Sequence, residues 1–204
     1  MWEEVEEYLL KDKYIGPLIK KYGHCKIKPK IHADYFQELI GDIIGQQLSG
    51  RVADVIYNRL KNKVKGNLTP GKILALNDQE LRDCGMAWAK VRSIKDLADK
   101  VKNNKLHLTR LDIMSDAEVM KELTLVKGIG RWTAEMFLMF TLGRPDIFPD
   151  DDLGIRKGLR LLRTSGSARM KKEMTQEEMV KFVRRWKPYR TVASWYLWAL
   201  LDNR

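Results

Sequence analysis

Along most of the chain, apolar side chains recur at three- and four-residue spacing, the period of a helix with one buried face. Tyr35, Leu39, Ile40, Ile43 and Ile44 form one such stripe, and Val52, Val55, Ile56 and Leu60 form a second. Helix starts are well marked. Ser115 with Glu118, and Thr175 with Glu178, fit the capping box, in which a hydroxyl and an acid three residues on satisfy each other's backbone amides. Thr69-Pro70 marks another start, with proline at the first helical position. Gly85, after Leu81-Arg82-Asp83-Cys84, reads as a glycine closing a helix. No alternating apolar and polar stretch is long enough to predict a strand, and no internal repeat is present. Arg163 to Lys172, with Ser165-Gly166-Ser167 inside it, reads as a surface loop. The expected fold class is all-α.

Composition narrows the partner. In 204 residues, 38 Lys and Arg against 27 Asp and Glu leave a formal charge of +11. Such an excess suits either a polyanion, nucleic acid being the commonest, or a lysine-rich solvated surface. The two cysteines, Cys25 and Cys84, imply no disulfide framework and cannot supply the four thiolates of an iron–sulfur cluster. His24, His32 and His107 lack metal-ligand spacing and read as surface or capping residues. No apolar run is long enough to span a bilayer, and Met1-Trp2-Glu3-Glu4 is too acidic for a signal peptide. A soluble, intracellular protein is expected, in the cytoplasm of a prokaryote or the nucleus of a eukaryote.

The sharpest local signal is Leu123-Thr124-Leu125-Val126-Lys127-Gly128-Ile129-Gly130-Arg131-Trp132-Thr133-Ala134. It predicts a helix running into Val126, a tight turn in which Gly128 and Gly130 take shapes that side chains would block, and a second helix beginning near Thr133. Amides at such a turn suit a phosphate, and Lys127 and Arg131 would add charge beside it. Downstream, Asp150-Asp151-Asp152 follows Phe148-Pro149. Clustered acids usually form a solvated helix start, the reading that fits Asp150. Close to a phosphate-binding turn, however, acids repel the ligand and need a reason. Breaking an N-glycosidic bond supplies one, because positive charge builds on the sugar and a carboxylate can stabilise it.

Leu123 to Asp152 resembles the helix-hairpin-helix DNA glycosylase superfamily, and within it the 3-methyladenine DNA glycosylase II family. The shared pattern is Gly-Ile-Gly-Arg-Trp-Thr-Ala followed by an aspartate 20 positions after the tryptophan, here Trp132 and Asp152. Asp152 with Ile155 and Arg156 also resembles the superfamily's Asp-x-x-apolar-Arg. The resemblance therefore implies Asp152 as the catalytic carboxylate. Ile43-Ile44-Gly45-Gln46-Gln47-Leu48-Ser49 resembles the stretch whose side chain fills the gap left by an extruded base, by position Gln47. Structurally, the same residues could be a polar helix end capped by Ser49. Trp186-Lys187-Pro188-Tyr189-Arg190 and Trp195-Tyr196-Leu197-Trp198 resemble the family's C-terminal segment. There Trp198 matches a base-pocket tryptophan, while Trp195 reads as core. The fold implied is two helical lobes around a DNA-binding and base-pocket cleft, with residues 1–204 as a single glycosylase unit, the hairpin at about 123–134 and the aspartate segment at 148–156.

Departures from the pattern carry further expectations. The endonuclease III-like branch has a lysine where this chain has Trp132, and that lysine attacks the sugar and leads to strand nicking. Tryptophan cannot do this, so the resemblance implies a monofunctional enzyme that leaves an intact strand with an abasic site. An aromatic face also attracts a cationic alkylated purine such as 3-methyladenine or 7-methylguanine, by about 0.5–2 kcal/mol. Met136 stands where well-known members have tyrosine. The chain before Tyr35 is too short for the N-terminal sheet domain common in the family, so a compact all-helical form is expected. The resemblance also implies DNA contacts from Gln47, Lys127, Gly128, Gly130, Arg131 and Thr133. It implies no required cofactor, but a structural Na+ or K+ held by the carbonyls of Thr124, Val126 and Ile129. The expected partner of this monomer is double-stranded DNA with a damaged base, not a membrane. The competing readings are a glycosylase for neutral lesions (hypoxanthine, ethenoadenine or uracil) and a non-catalytic hairpin DNA-binding protein. A pure RNA binder lacks support, because no exposed aromatic strand motif is present.

Overall fold

A computed structural model describes residues 1–30, 33–164 and 174–202. In chain order its α-helices are α1 (Glu3–Leu9), α2 (Ile15–Tyr22), α3 (Tyr35–Gly45), α4 (Gly50–Lys63), α5 (Pro70–Ala75), α6 (Asp78–Asp83), α7 (Trp88–Lys102), α8 (Asp116–Leu123), α9 (Arg131–Met136), α10 (Leu153–Thr164), α11 (Gln176–Val183) and α12 (Arg190–Asp202). A π-helical turn, Phe137–Thr141, follows α9. No strand occurs among the described residues, as the periodicity predicts. No helix of these residues is long and apolar enough to cross a membrane.

The helices form two compact units. One is Lys30–Phe137 and the other is Met1–Pro29 with the chain from Leu138 onward. In the first, α3 packs on α4 and α7, α5 and α6 on α7, and α8 on α9. The predicted stripe on α3 is buried along its whole length. On α4 only Ile56 and Leu60 are buried, whereas Val52 and Val55 are each 46% exposed, contrary to the stripe read from the sequence. The reason is position: the stretch Gln47–Arg51 is exposed, and the first turns of α4 share that exposure.

In the second unit, Trp2, Leu9, Ile15, Phe148, Ile155, Leu159, Trp186, Tyr196 and Leu197 belong to one buried cluster. Helix α12 is its axis and packs on α1, α2 and α10. The approach of α10 is close because Gly154 and Gly158 face α12. A Cβ on Gly158 would lie 2.8 Å from the Leu197 carbonyl oxygen. The buried Glu6 carboxylate ties the N-terminal segment down, accepting from the Tyr196 hydroxyl at 2.7 Å and the Cys25 amide at 2.5 Å.

The predicted caps form. Ser115–Glu118 and Thr175–Glu178 are complete capping boxes, and the Thr69 hydroxyl accepts from the Lys72 amide. Asn77 with Glu80 forms a further box, beyond those predicted. Gly85 follows α6 with φ +105°. The cysteines are free, and exposed His24 and His107 pair with Glu6 and Glu122. Helix α10 extends to Thr164, so Arg163 is helical, while the rest of the loop expected up to Lys172, and His32, lie outside the described residues.

Candidate active site

The hairpin is built by packing as much as by its glycines. Helix α8 ends at Leu123, earlier than expected, and the chain tightens into short-range bonds from Leu125 N to Glu122 O and Val126 N to Leu123 O. Gly128 has φ +83°, and a Cβ there would lie 2.2 Å from Ser93 Oγ on α7, so both conformation and space require glycine. Gly130 differs from expectation. Its φ is −90°, and a Cβ would meet nothing within 4 Å. It serves as the N-cap of α9, which starts at Arg131 and has no side-chain cap.

Several expected DNA contacts already have internal roles. The Lys127 amide donates to Asp96 Oδ2 at 2.8 Å. Burial pushes the Asp96 carboxyl up, but bonds from Lys100 and from the Lys127 amide outweigh this and hold it below its ordinary range. Arg131 Nε donates to buried Glu135 at 2.9 Å. Thr133 is buried, and its hydroxyl accepts from Gln46 Nε2 at 3.0 Å. The same Gln46 nitrogen reaches Gly128 O at 2.9 Å, stitching the end of α3 to the hairpin. Lys90 Nζ fixes that end from α7, donating to Ile44 O and Gln46 O at 2.7 Å each. The sequence gives no sign of these roles for Gln46, Lys90 and Asp96, since each acts through a partner more than 30 positions away.

Gln47 follows as an exposed residue with φ +57°. A left-handed conformation in a side-chain-bearing residue costs on the order of 1–3 kcal/mol and clusters at functional sites. Ser49 sits at the N-cap position of α4 without a side-chain bond, so it does not cap the end of α3. Trp132 and Met136 lie one turn apart on α9, with Trp132 44% exposed.

An alkali ion is the group the resemblance implies for the hairpin. Thr124 and Val126 follow the end of α8, where the last carbonyls lack intrahelical partners. Val126 O accepts one bond, from Ile129 N at 3.1 Å, which leaves its second lone pair. Neutral carbonyl oxygens suit a hard cation, so Thr124, Val126 and Ile129 fit the role. No group of three or more His, Cys, Asp or Glu able to hold a metal occurs among the described residues.

In the other unit, the three acids separate. Asp150 is not a solvated helix start. It is buried, and its Oδ2 accepts from Gln176 at 2.9 Å, a partner 26 residues on. Asp151 is exposed. Asp152 caps α10, its Oδ1 accepting from the Ile155 amide at 2.7 Å. That oxygen also accepts from Trp198 Nε1 on α12 at 3.0 Å. Gly154 makes this possible, because a Cβ there would sit 2.9 Å from Asp152 Oδ1 and 3.0 Å from Trp198 Nε1. Trp198 stacks obliquely on Phe140 at 5.9 Å, while Trp195 packs edge-on to Tyr196 at 4.8 Å beside the core.

The loop before Asp152 is clamped from α12. Arg190 donates to both carboxylate oxygens of Asp146, at 2.6 and 2.8 Å, and to the Asp146 carbonyl at 2.9 Å. The Thr191 hydroxyl donates to Arg144 O at 2.6 Å and accepts from Ile147 N at 3.0 Å. The sequence marks the segment around Arg190 but carries no local signal of this positioning role.

A model of the HhH-GPD superfamily of base excision DNA repair proteins matches residues 40–185. The DNA-3-methyladenine glycosylase 1 of Schizosaccharomyces pombe is 36% identical over 166 residues, covering 80% of this chain and 71% of that protein. The crystal structure of a DNA-3-methyladenine glycosidase from Bacillus halodurans superposes with TM-score 0.82 at 33% identity, over 96% of this chain and 88% of that one. A 3-methyladenine DNA glycosylase of S. pombe in complex with abasic DNA superposes with TM-score 0.78 at 33% identity, over 96% and 95%.

Proposed function

The chain belongs to the HhH-GPD superfamily of base excision DNA repair proteins, in the compact, all-helical 3-methyladenine DNA glycosylase II-like branch, and from that premise we propose a monofunctional DNA glycosylase that hydrolyses the N-glycosidic bond of alkylated purines. The substrates are 3-methyladenine and 7-methylguanine in duplex DNA. The observation that carries this reading is the Asp152 carboxylate, held on one oxygen by the first turn of α10 and by the Trp198 indole.

In this mechanism, basic side chains bind the DNA backbone without sequence preference. The hairpin turn around Gly128 and Gly130, with Lys127 and Arg131, holds phosphates beside the lesion. The carbonyls of Thr124, Val126 and Ile129 would hold an alkali ion, which would add positive charge there. Thr133 supports the turn through Gln46. The damaged nucleotide turns out of the duplex at a cost of a few kcal/mol, less for a damaged base. Gln47, exposed and left-handed between α3 and α4, fills the gap. Trp132 and Trp198 meet the base with their ring faces, and Met136 adjoins Trp132. A cationic base leaves without a proton from the enzyme. Asp152 stabilises the positive charge on the sugar, and water completes hydrolysis.

Trp132 supports the monofunctional half, because an indole has no nucleophilic amine to form a Schiff base with the sugar. The test is a duplex carrying one 7-methylguanine. The expected product is an abasic strand that stays intact until base or heat is added. Cleavage by the enzyme alone would contradict the reading.

A further inference from the structure

A cavity of about 460 Å³ opens on the Lys30–Phe137 unit, apart from the residues given a part in binding or catalysis above. Its walls are mostly apolar. Phe36 comes from the first turn of α3, Leu68 and Pro70 from around the start of α5, Val101 from the end of α7, and Leu108 from the short helical turn Leu108–Arg110. Asp34, Thr69, Thr109 and Asp112 also line it and are exposed, so the cavity is open to solvent. A concavity of this size, with apolar walls and a few polar groups, is the usual form of a binding site.

Charge sets it apart from the rest of the chain. The sequence carries 38 Lys and Arg against 27 Asp and Glu, yet the described lining holds two aspartates and no lysine or arginine. Asp34 caps α3, its Oδ1 accepting from the amides of Phe36 and Gln37. Asp112 accepts from the Tyr35 hydroxyl. These bonds leave the negative charge in place, and a carboxylate has lone pairs for about four donors.

The position matters as well. Gln46, just beyond the end of α3, meets the hairpin at Gly128 O, and Lys90 in the first turn of α7 bonds that same end of α3. The cavity takes the opposite ends of both helices, the start of α3 and the close of α7. At about 1.5 Å per residue, it stands about 15 Å along α3 from the hairpin. That exceeds the screening length of about 8 Å at physiological salt, so its carboxylates do not weaken phosphate binding at the hairpin. At the cavity itself they repel phosphate, so DNA is a poor occupant. Ile113, the residue after Asp112, is 80% exposed. A small molecule in the cavity would leave that side chain in water, whereas a peptide segment could cover both.

We propose that this cavity docks a segment of a partner protein in which a bulky apolar side chain has Lys or Arg beside it. The apolar side chain fills the space over Phe36, Leu68 and Leu108, and the cation faces Asp34 and Asp112. The surface lies outside the base-releasing site, and its role holds whatever that site releases.

The test is an amide NMR titration of the isotopically labelled full chain with blocked tetrapeptides at millimolar concentration. Lys-Leu-Phe-Arg should shift the amides of Phe36, Leu68, Val101 and Leu108 saturably. Glu-Leu-Phe-Glu should bind there about tenfold more weakly, from about threefold for each exposed ion pair lost. Lys-Ser-Gly-Arg, which lacks the apolar anchor, should leave those amides unmoved. Thr109→Lys, an exposed substitution that brings a like charge to the cavity, should weaken binding of Lys-Leu-Phe-Arg by about threefold. Absence of a saturable shift with Lys-Leu-Phe-Arg, equal binding of the acidic peptide, equal shifts with the polar cationic peptide, or unchanged binding to Thr109→Lys would each overturn the proposal. Shifts at the same amides on raising the protein concentration alone would also overturn it, making the occupant a second copy of this chain. Saturable shifts there on adding duplex DNA would overturn it in favour of a DNA contact.

Discussion

Asp152 Oδ1 is fixed from two directions, by an amide of its own helix and by the indole of another, and the space for that arrangement exists because residue 154 has no side chain. Catalysis through a stabilised cation depends on where the carboxylate stands, and a shift of about 1 Å can cost a hundredfold. Gly154→Ala puts a methyl group 2.9 Å from both Oδ1 and the Trp198 ring, so one of them must move. Base release should fall about 10- to 100-fold, with the helical circular dichroism signal and duplex binding retained. Unchanged release would mean that the carboxylate is not held where the reaction needs it. Asp150 and Asp42 show the same dependence on surroundings. Adjacent acids in the sequence differ in burial and partner, and the Oδ2 of Asp42, an acid in an apolar stripe, meets no donor among the described residues. Neither fate is written in residue type.

Among the elements, the hairpin is held in place by α3 and α7 and not by its own sequence alone. Gln46 reaches across to Gly128 and Thr133, Lys90 closes the end of α3, and Ser93 leaves room for Gly128 and no more. Gly128→Ala combines a left-handed backbone with an atom 2.2 Å from Ser93 Oγ. Thermal denaturation should show a loss of roughly 1–3 kcal/mol. Adding Ser93→Ala should recover part of it, because the remaining contact is the 3.2 Å approach to Ser93 Cβ. No recovery would place the strain wholly in the backbone. The helices themselves were legible, because periodicity and capping boxes are local signals. What surrounds each helix is not local. Val52 and Val55 carry the right spacing but lie on the exposed start of α4, and the close approach of α10 to α12 through Gly158 follows from tertiary packing. Gly130, read as obligatory beside Gly128, is conformationally ordinary.

For the whole molecule, the charge of +11 and the helix-hairpin-helix architecture both suit a DNA duplex, bound largely through phosphates and weakened by salt. The proposed chemistry rests on fewer atoms. The sequence singles out Asp152 and the hairpin through their resemblance to the family, the aspartate standing 20 positions after Trp132. The supports of that site carry no such signal, since Arg190 with Asp146, Thr191 with Arg144, and Trp198 with Asp152 are joined only by folding. The most direct measurement is release of 7-methylguanine from methylated duplex DNA by the unmodified protein and by Asp152→Asn, with duplex binding measured at the same salt. Release by the unmodified protein, cut by about 10²–10³ or more in the variant while binding is kept, is the predicted result. A variant that releases the base at the unmodified rate, or a protein that binds DNA and releases nothing, would contradict it.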